Sequence, residues 1–315
     1  MTTANTTLVF DETALGAFTD SELAFLRQKT HSAYVITRKI YVDGATTDFS
    51  FAYDCTGNRA NFREEIIREY YEMLSGASPR ETRFILPTRH RLYADLAGIL
   101  ESGQNILYLR LPKSLAIETD LLMQDITQEL RVKYPHRHIG IVDAGSFGIA
   151  YSNQVLATMS LIERHPTLEF EELFTLIVNN RNQASQFFYI ENFYQPYDRR
   201  IFLNITARPF DRRVVAGHFN RTSAVVDDAC RHAKAYAKSD VSSVLAGLSL
   251  DIVETANNVN ANKIIIECAS NLAGSTMLAG LICNQLADLP VVSGAHLDPA
   301  IAAFLGADSL AITII

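Results

Sequence analysis

His138-Ile139-Gly140-Ile141-Val142-Asp143-Ala144-Gly145-Ser146-Phe147-Gly148 reads as a strand, a turn and the opening of a helix. The β-branched run His138 to Val142 supplies the strand, and the helix that follows covers Ser152 to Arg164. The same alternation recurs upstream. Thr7 to Phe10, Ser32 to Thr37 and Ile106 to Arg110 read as strands, with amphipathic stretches between them. Phe62, Ile66, Tyr70 and Met73 share one helical face, opened by Asn61 with Glu64 and stopped at Gly76. Leu92, Leu96 and Leu100 mark another helix, and Glu118 to Val132 a third. Strand and helix taken in turn predict βαβ units on a mostly parallel sheet, a layered α/β lobe over residues 1–165.

Near His165-Pro166-Thr167 the pattern resets, and Thr167 is expected to cap a helix running through Asn180. Strands are expected at Gln186 to Ile190, Ile201 to Ile205 and Val214 to Phe219, the last two close enough for antiparallel pairing. Helices follow at Ser223 to Lys238 and Val241 to Asn258. Then come a strand at Lys263 to Glu267, a helix at Gly274 to Leu286, and strands at Pro290 to Val292 and Ser309 to Ile314. Residues 166–315 thus read as a second, mixed and partly antiparallel α/β lobe, with a ligand cleft expected between the two. No internal repeat or low-complexity linker interrupts them.

Bulk composition narrows the function. The 315 residues exceed the usual reach of one hydrophobic core, in keeping with two domains. A net charge of −7 argues against a nucleic-acid surface, which needs clustered basic residues. Cys55, Cys230, Cys268 and Cys283 show no ligand-like spacing and fit a reducing compartment. The N-terminus lacks a signal-peptide pattern, and the longest apolar run, Leu272 to Cys283, is broken by Gly274, Ser275, Thr276 and Gly280. These readings place the chain in the cytoplasm with no membrane span.

No nucleophile elbow, phosphate loop, zinc-protease helix or dinucleotide fingerprint is present. Gly145-Ser146-Phe147-Gly148 could offer backbone N–H groups to an anion at the following helix N-terminus; its plainer reading is a tight turn with a cap. His136 and His138 could pair on a metal, but a solvated strand edge is the simpler assignment, and no metal is expected. Arg200, in the turn Asp198-Arg199-Arg200, immediately precedes an expected strand. His296, in Gly294-Ala295-His296-Leu297-Asp298-Pro299, could donate to an anionic ligand or simply bond to backbone.

Taken in order, these segments resemble the DegV family, which includes the fatty-acid-binding subunits of bacterial fatty acid kinase. Phe10-Asp11-Glu12-Thr13 is similar to the family's Asp-Ser-Thr opening, and Val142-Asp143-Ala144-Gly145-Ser146 to its V-x-D-S-x-S turn. Asp198-Arg199-Arg200-Ile201, then Leu203-Asn204-Ile205 with Arg208-Pro209, resemble its G-G-R-I and L-N-I-K-P segments. Arg221-Thr222 fits the arginine before the next helix, and Gly294 to Pro299 resembles G-T-H-x-G-P. The resemblance implies two lobes holding a fatty acid or related amphipathic ligand, its carboxylate at the lobe junction and its acyl chain in an apolar pocket. It also implies a separate kinase subunit as partner, with no cofactor or nucleotide site on this chain. Asp11, Ser146, Arg200 and His296 are the ligand-binding residues it points to, with Thr88, Lys113 and Ser114 as substitute donors. Phe84 and Ala116 stand where the family has hydroxyl donors to the carboxylate, and Glu118 adds a like charge nearby. Those departures keep two alternatives open. One is a divergent member that binds another small molecule or acts as an enzyme through His296. The other is a pocket-degenerate interaction protein.

Overall fold

A computed structural model describes residues 5–18, 20–28, 32–37, 39–42, 71, 82–112, 115–181, 184–193, 213–219, 234–237, 241–298, 301–302, 305–306 and 308–315. The chain divides into two compact units. The first holds Met1–Phe62, Thr82–Phe147 and Tyr151–Asn182; the second holds Arg63–Glu81, Gly148–Ala150 and Gln183–Ile315.

In the first unit, strands β1 (Thr6–Asp11), β2 (Ala33–Ile36), β5 (Asn105–Arg110) and β6 (Ile139–Asp143) form one sheet in the order β2-β1-β5-β6. All three pairings are parallel, with Phe10 opposite Val35 on one side and Leu109 on the other. β1 is buried along its whole length, as a central parallel strand covered on both faces must be. Helix α1 (Asp20–Gln28) follows a 3-10 turn over Glu12–Ala17. Helices α2 (Arg89–Glu101) and α3 (Ile117–Lys133) follow later in the chain. α2 packs through Leu92, Leu96 and Leu100 and α3 through Met123, Ile126 and Leu130, in one core with Val9, Ile106 and Tyr108. These are the i, i+4, i+8 and i, i+3, i+7 stripes that burial of one helical face requires. Helix α4 (Gly148–Arg164) begins in the second unit and continues into the first. Helix α5 (Phe170–Asn179) lays Phe170 and Phe174 over Gly140 of β6, where a Cβ would come within 2.7 Å of the Phe174 ring. A short antiparallel pair, β3 (Lys39–Val42) and β4 (Thr82–Ile85), stands apart from the main sheet.

The second unit carries six strands in the order β11-β10-β12-β7-β8-β9. They are β7 (Ser185–Phe193), β8 (Arg213–Phe219), β9 (Lys234–Ala237), β10 (Ile264–Cys268), β11 (Val291–His296) and β12 (Ser309–Ile314). Only β10 with β11 is parallel; the other pairings are antiparallel, so the sheet is mixed. Helices α6 (Val241–Asn258) and α7 (Leu272–Cys283) contribute Val244, Leu248, Ile252, Leu278 and Ile282 to a core with Phe187, Tyr189, Ile264 and Ile312.

Several expectations are corrected. α5 starts at Phe170 behind Glu169, with no side-chain cap, so Thr167 does not cap it. Residues 234–237, expected at the end of a helix, form β9 against β8. His136 and His138 precede β6; the His138 imidazole lies 3.2 Å from Glu171 and stacks on Phe170. The segments expected as a helix over Phe62 to Met73 (Tyr71 apart) and a strand over Ile201 to Ile205 lie outside the described residues.

Candidate functional site

In the first unit the polar chemistry gathers at the carboxyl ends of the strands. The order β2-β1-β5-β6 reverses direction between β1 and β5, the place where open α/β sheets present a crevice. Here the Tyr151 phenol fills that gap: it accepts from the Asp11 N–H at 3.0 Å and donates to the Leu109 carbonyl at 2.9 Å. Tyr151 is fully buried. The Asp11 carboxylate accepts from the Thr13 N–H at 3.2 Å and caps the 3-10 turn, and Ser152 donates to the Ala14 carbonyl at 2.7 Å. These contacts hold the turn after β1 in place.

One step along the sheet edge, Arg110 closes β5. Its guanidinium lies 2.6 Å from Asp120 in the first turn of α3 and 3.1 Å from Asp143 at the end of β6. Asp143 also accepts from the Gly145 N–H at 2.7 Å, fixing the turn before α4, and Asp120 accepts from Gln124 at 2.6 Å. Asp120 and Asp143 are buried and the Arg110 side chain is 13% exposed, so the two aspartates depend on its guanidinium. The Ser146 hydroxyl, also buried, donates to the Ala144 carbonyl at 3.3 Å. Ala116 is the residue before α3, and no side chain caps that helix. Thr88 is exposed and caps α2 by accepting from the Arg91 N–H at 3.4 Å.

In the second unit the parallel pair β10 and β11 brings Glu267, Cys268 and His296 to one end of the sheet, with Cys268 opposite His296. His296 is exposed, and its imidazole makes no hydrogen bond or ion pair with the described residues. The Leu297 carbonyl next to it accepts from the Tyr71 hydroxyl at 2.5 Å, and its N–H donates to the Cys268 carbonyl at 3.0 Å. Glu267 is 1% exposed, and the Ile149 N–H reaches its two oxygens at 3.1 and 3.2 Å. Burial pushes its carboxyl up to about 8, against the pull of the Ile149 N–H and helped by the nearby Asp298 charge. Burial likewise pushes the Cys268 thiol up.

Of the residues singled out from sequence, Asp11, Thr88 and Ser146 belong to the first unit and His296 to the second. Ser114 and Arg200 lie outside the described residues. Arg110, Asp120, Tyr151 and Glu267 were not singled out. A lone arginine closing an apolar strand, and an acid closing the run Ile264-Ile265-Ile266, were the signals for two of them. Among the described residues no cluster of three metal-ligating side chains occurs, and no helix is long and apolar enough to cross a membrane.

A parallel α/β unit followed by a six-stranded mixed sheet defines the fold, and solved structures with the same arrangement are DegV family proteins. The fatty-acid-binding DegV family protein of Streptococcus agalactiae superposes with a TM-score of 0.63 at 15% identity, covering 99% of this chain and 98% of that one. DegV of Bacillus subtilis, a fatty acid binding protein, gives 0.62 at 14% identity over 99% of both chains. The fatty acid kinase B3 protein of Streptococcus pneumoniae, loaded with linoleic acid, gives 0.60 at 12% identity over 98% and 99%. No family model matches the sequence, and no curated protein matches it either. The chain therefore has the DegV fold, at identities that leave its residues to be judged one by one.

Proposed function

We propose that the chain binds a long-chain fatty acid and presents its carboxylate to a separate kinase subunit. The observation that supports this reading is the likeness in fold, over nearly the full length of both chains, to proteins solved as fatty-acid binders, one of them a fatty acid kinase B protein. A buried carboxylate needs donors, and the family's two hydroxyls are replaced here by Phe84 and Ala116. His296 fits the role in the second unit, because its imidazole has no partner among the described residues. Arg200 in the same unit offers a guanidinium that matches a carboxylate bidentately. Asp11 and Ser146 serve the turns that carry them and contribute no donor in this reading.

The test is native mass spectrometry of protein purified from bacterial cells, followed by calorimetric titration with oleate. A co-purified fatty-acid mass and saturable oleate binding are expected, weakened about tenfold in His296→Ala at unchanged melting temperature. An apo mass with no oleate binding would remove the reading.

A further inference from the structure

Leu121 and Val132 are 62% and 80% exposed, and both stand on α3. Single apolar side chains on a surface are ordinary, but these two share one stripe of the helix with the exposed Asp125 and Gln128. From Leu121 to Asp125, Gln128 and Val132 the stripe advances by four, three and four residues, the seam along which a second helix packs. The opposite face of α3, with Met123, Ile126 and Leu130, is already buried in the core of the first unit. Beside the seam, on the side of α2, lies a groove of about 490 Å³ lined by Tyr93, Asp125, Gln128, Glu129, Val132 and Lys133.

This stripe is complementary to itself. A copy turned about a two-fold axis perpendicular to α3 runs antiparallel to it and sets Leu121 against Val132 and Asp125 against Gln128, each pair occurring twice. Leu121 of the copy then arrives at Val132, where the groove opens towards Tyr93. The Gln128 amide donates to the Asp125 carboxylate across the seam. The acids at its centre do not meet their own images as bare charges, because Arg89 of α2 lies 2.6 Å from Asp125 and 2.7 Å from Glu129. On the flank of the seam the same operation brings Glu118, exposed in the first turn of α3, to the level of Lys133 in its last turn. The Lys133 ammonium rests over the Tyr93 and Tyr134 rings, 5.7 and 5.0 Å from their centroids, on that same flank. An antiparallel pair therefore joins opposite signs at both ends, whereas a parallel pair would set Glu118 beside Glu118 and Lys133 beside Lys133.

We propose that α3 is a homodimer contact, in which two copies of this chain pair antiparallel along Leu121, Asp125, Gln128 and Val132. One helix face buries less than the ~1,200 Å² at which stable interfaces begin, so the dimer is weak and forms with rising concentration. The contact uses none of the residues assigned to the fatty-acid head group, and neither role depends on the other.

Sedimentation equilibrium of the full-length protein from about 1 to 500 µM is expected to show a reversible monomer–dimer equilibrium. Leu121→Glu and Val132→Glu, both at exposed positions, should each weaken it about tenfold or more with an unchanged circular-dichroism spectrum. Glu118→Lys puts two lysine pairs into its own dimer and Lys133→Glu two glutamate pairs, so each variant alone should associate about threefold or more weakly than the wild type. An equimolar mixture of these two variants restores opposite charges at both contacts and should regain the wild-type association. A wild type that stays monomeric at every concentration would overturn the proposal. So would a dimer indifferent to Leu121→Glu and Val132→Glu, which places the contact on another face, or a mixture no stronger than its components, which excludes the antiparallel register.

Discussion

Asp120 and Asp143 in the first unit and Glu267 in the second are all buried carboxyl groups near the ends of parallel strands, yet they are neutralised by opposite means. Arg110 stands between the two aspartates and meets both. Among the described residues, Glu267 meets one backbone N–H, a neighbouring acid and no cation. The first arrangement keeps its charges and cancels them; the second is cheapest with a proton on the carboxyl. The consequence is that the second unit's strand end should respond to pH near neutrality.

The largest effect should come from removing the shared cation. Arg110→Met keeps the length of the stem but leaves Asp120 and Asp143 buried without their shared cation. A loss of about 3–5 kcal/mol in urea unfolding is expected. If Arg110→Met costs less than about 1 kcal/mol, the two aspartates are not dependent on it and the contrast between the units fails.

The second way to break the comparison is pH. With its pKa raised from 4.5 to about 8, Glu267 binds a proton in the folded chain that the unfolded chain has released. Stability from this group is therefore greatest below about pH 4.5 and falls as pH rises through about 8. The slope inside that window is at most about 1.4 kcal/mol per pH unit. Glu267→Gln removes the titration, so the wild-type-minus-variant difference should fall across the window and level off above it. Urea midpoints measured at intervals across that range read the trend directly. A difference that rises with pH would mean the carboxylate is stabilised by the helix terminus more than burial penalises it.

Much of the scaffold was legible from the sequence because local pattern and tertiary role agree. α6 shows its buried face as Val244, Leu248 and Ile252, and β12 is buried along its whole length from Ser309 to Ile314. Lys234-Ala235-Tyr236-Ala237 was misread because nothing in so short and alanine-rich a stretch demands extension; pairing with β8 supplies the reason. The site was less legible for a related cause. Arg110 reaches Asp120 across the loop before α3, and Glu267 acquires its character from burial against the Ile149 N–H, 118 residues away in sequence. Neither a ten-residue separation across a loop nor a contact between distant segments has a periodicity to find. Ser146 carried the opposite lesson: its turn was found, but the group that fills the helix terminus comes from elsewhere in the chain.

The smallest effect sharpens the comparison by holding geometry constant and changing burial. Arg89 at the start of α2 also bridges two acids, Asp125 at 2.6 Å and Glu129 at 2.7 Å, contacts as short as those of Arg110. Its side chain is 48% exposed, against 13% for Arg110. In water the two acids lose little when the cation leaves, because solvent and salt screen what remains. Arg89→Ala should therefore leave the urea midpoint unchanged within error, and added salt should not separate it from the wild type. A shift comparable to that of Arg110→Met would show that contact distance, rather than burial, governs these triads. The distinction drawn between the cancelled aspartates and the protonated Glu267 would then lose its physical basis.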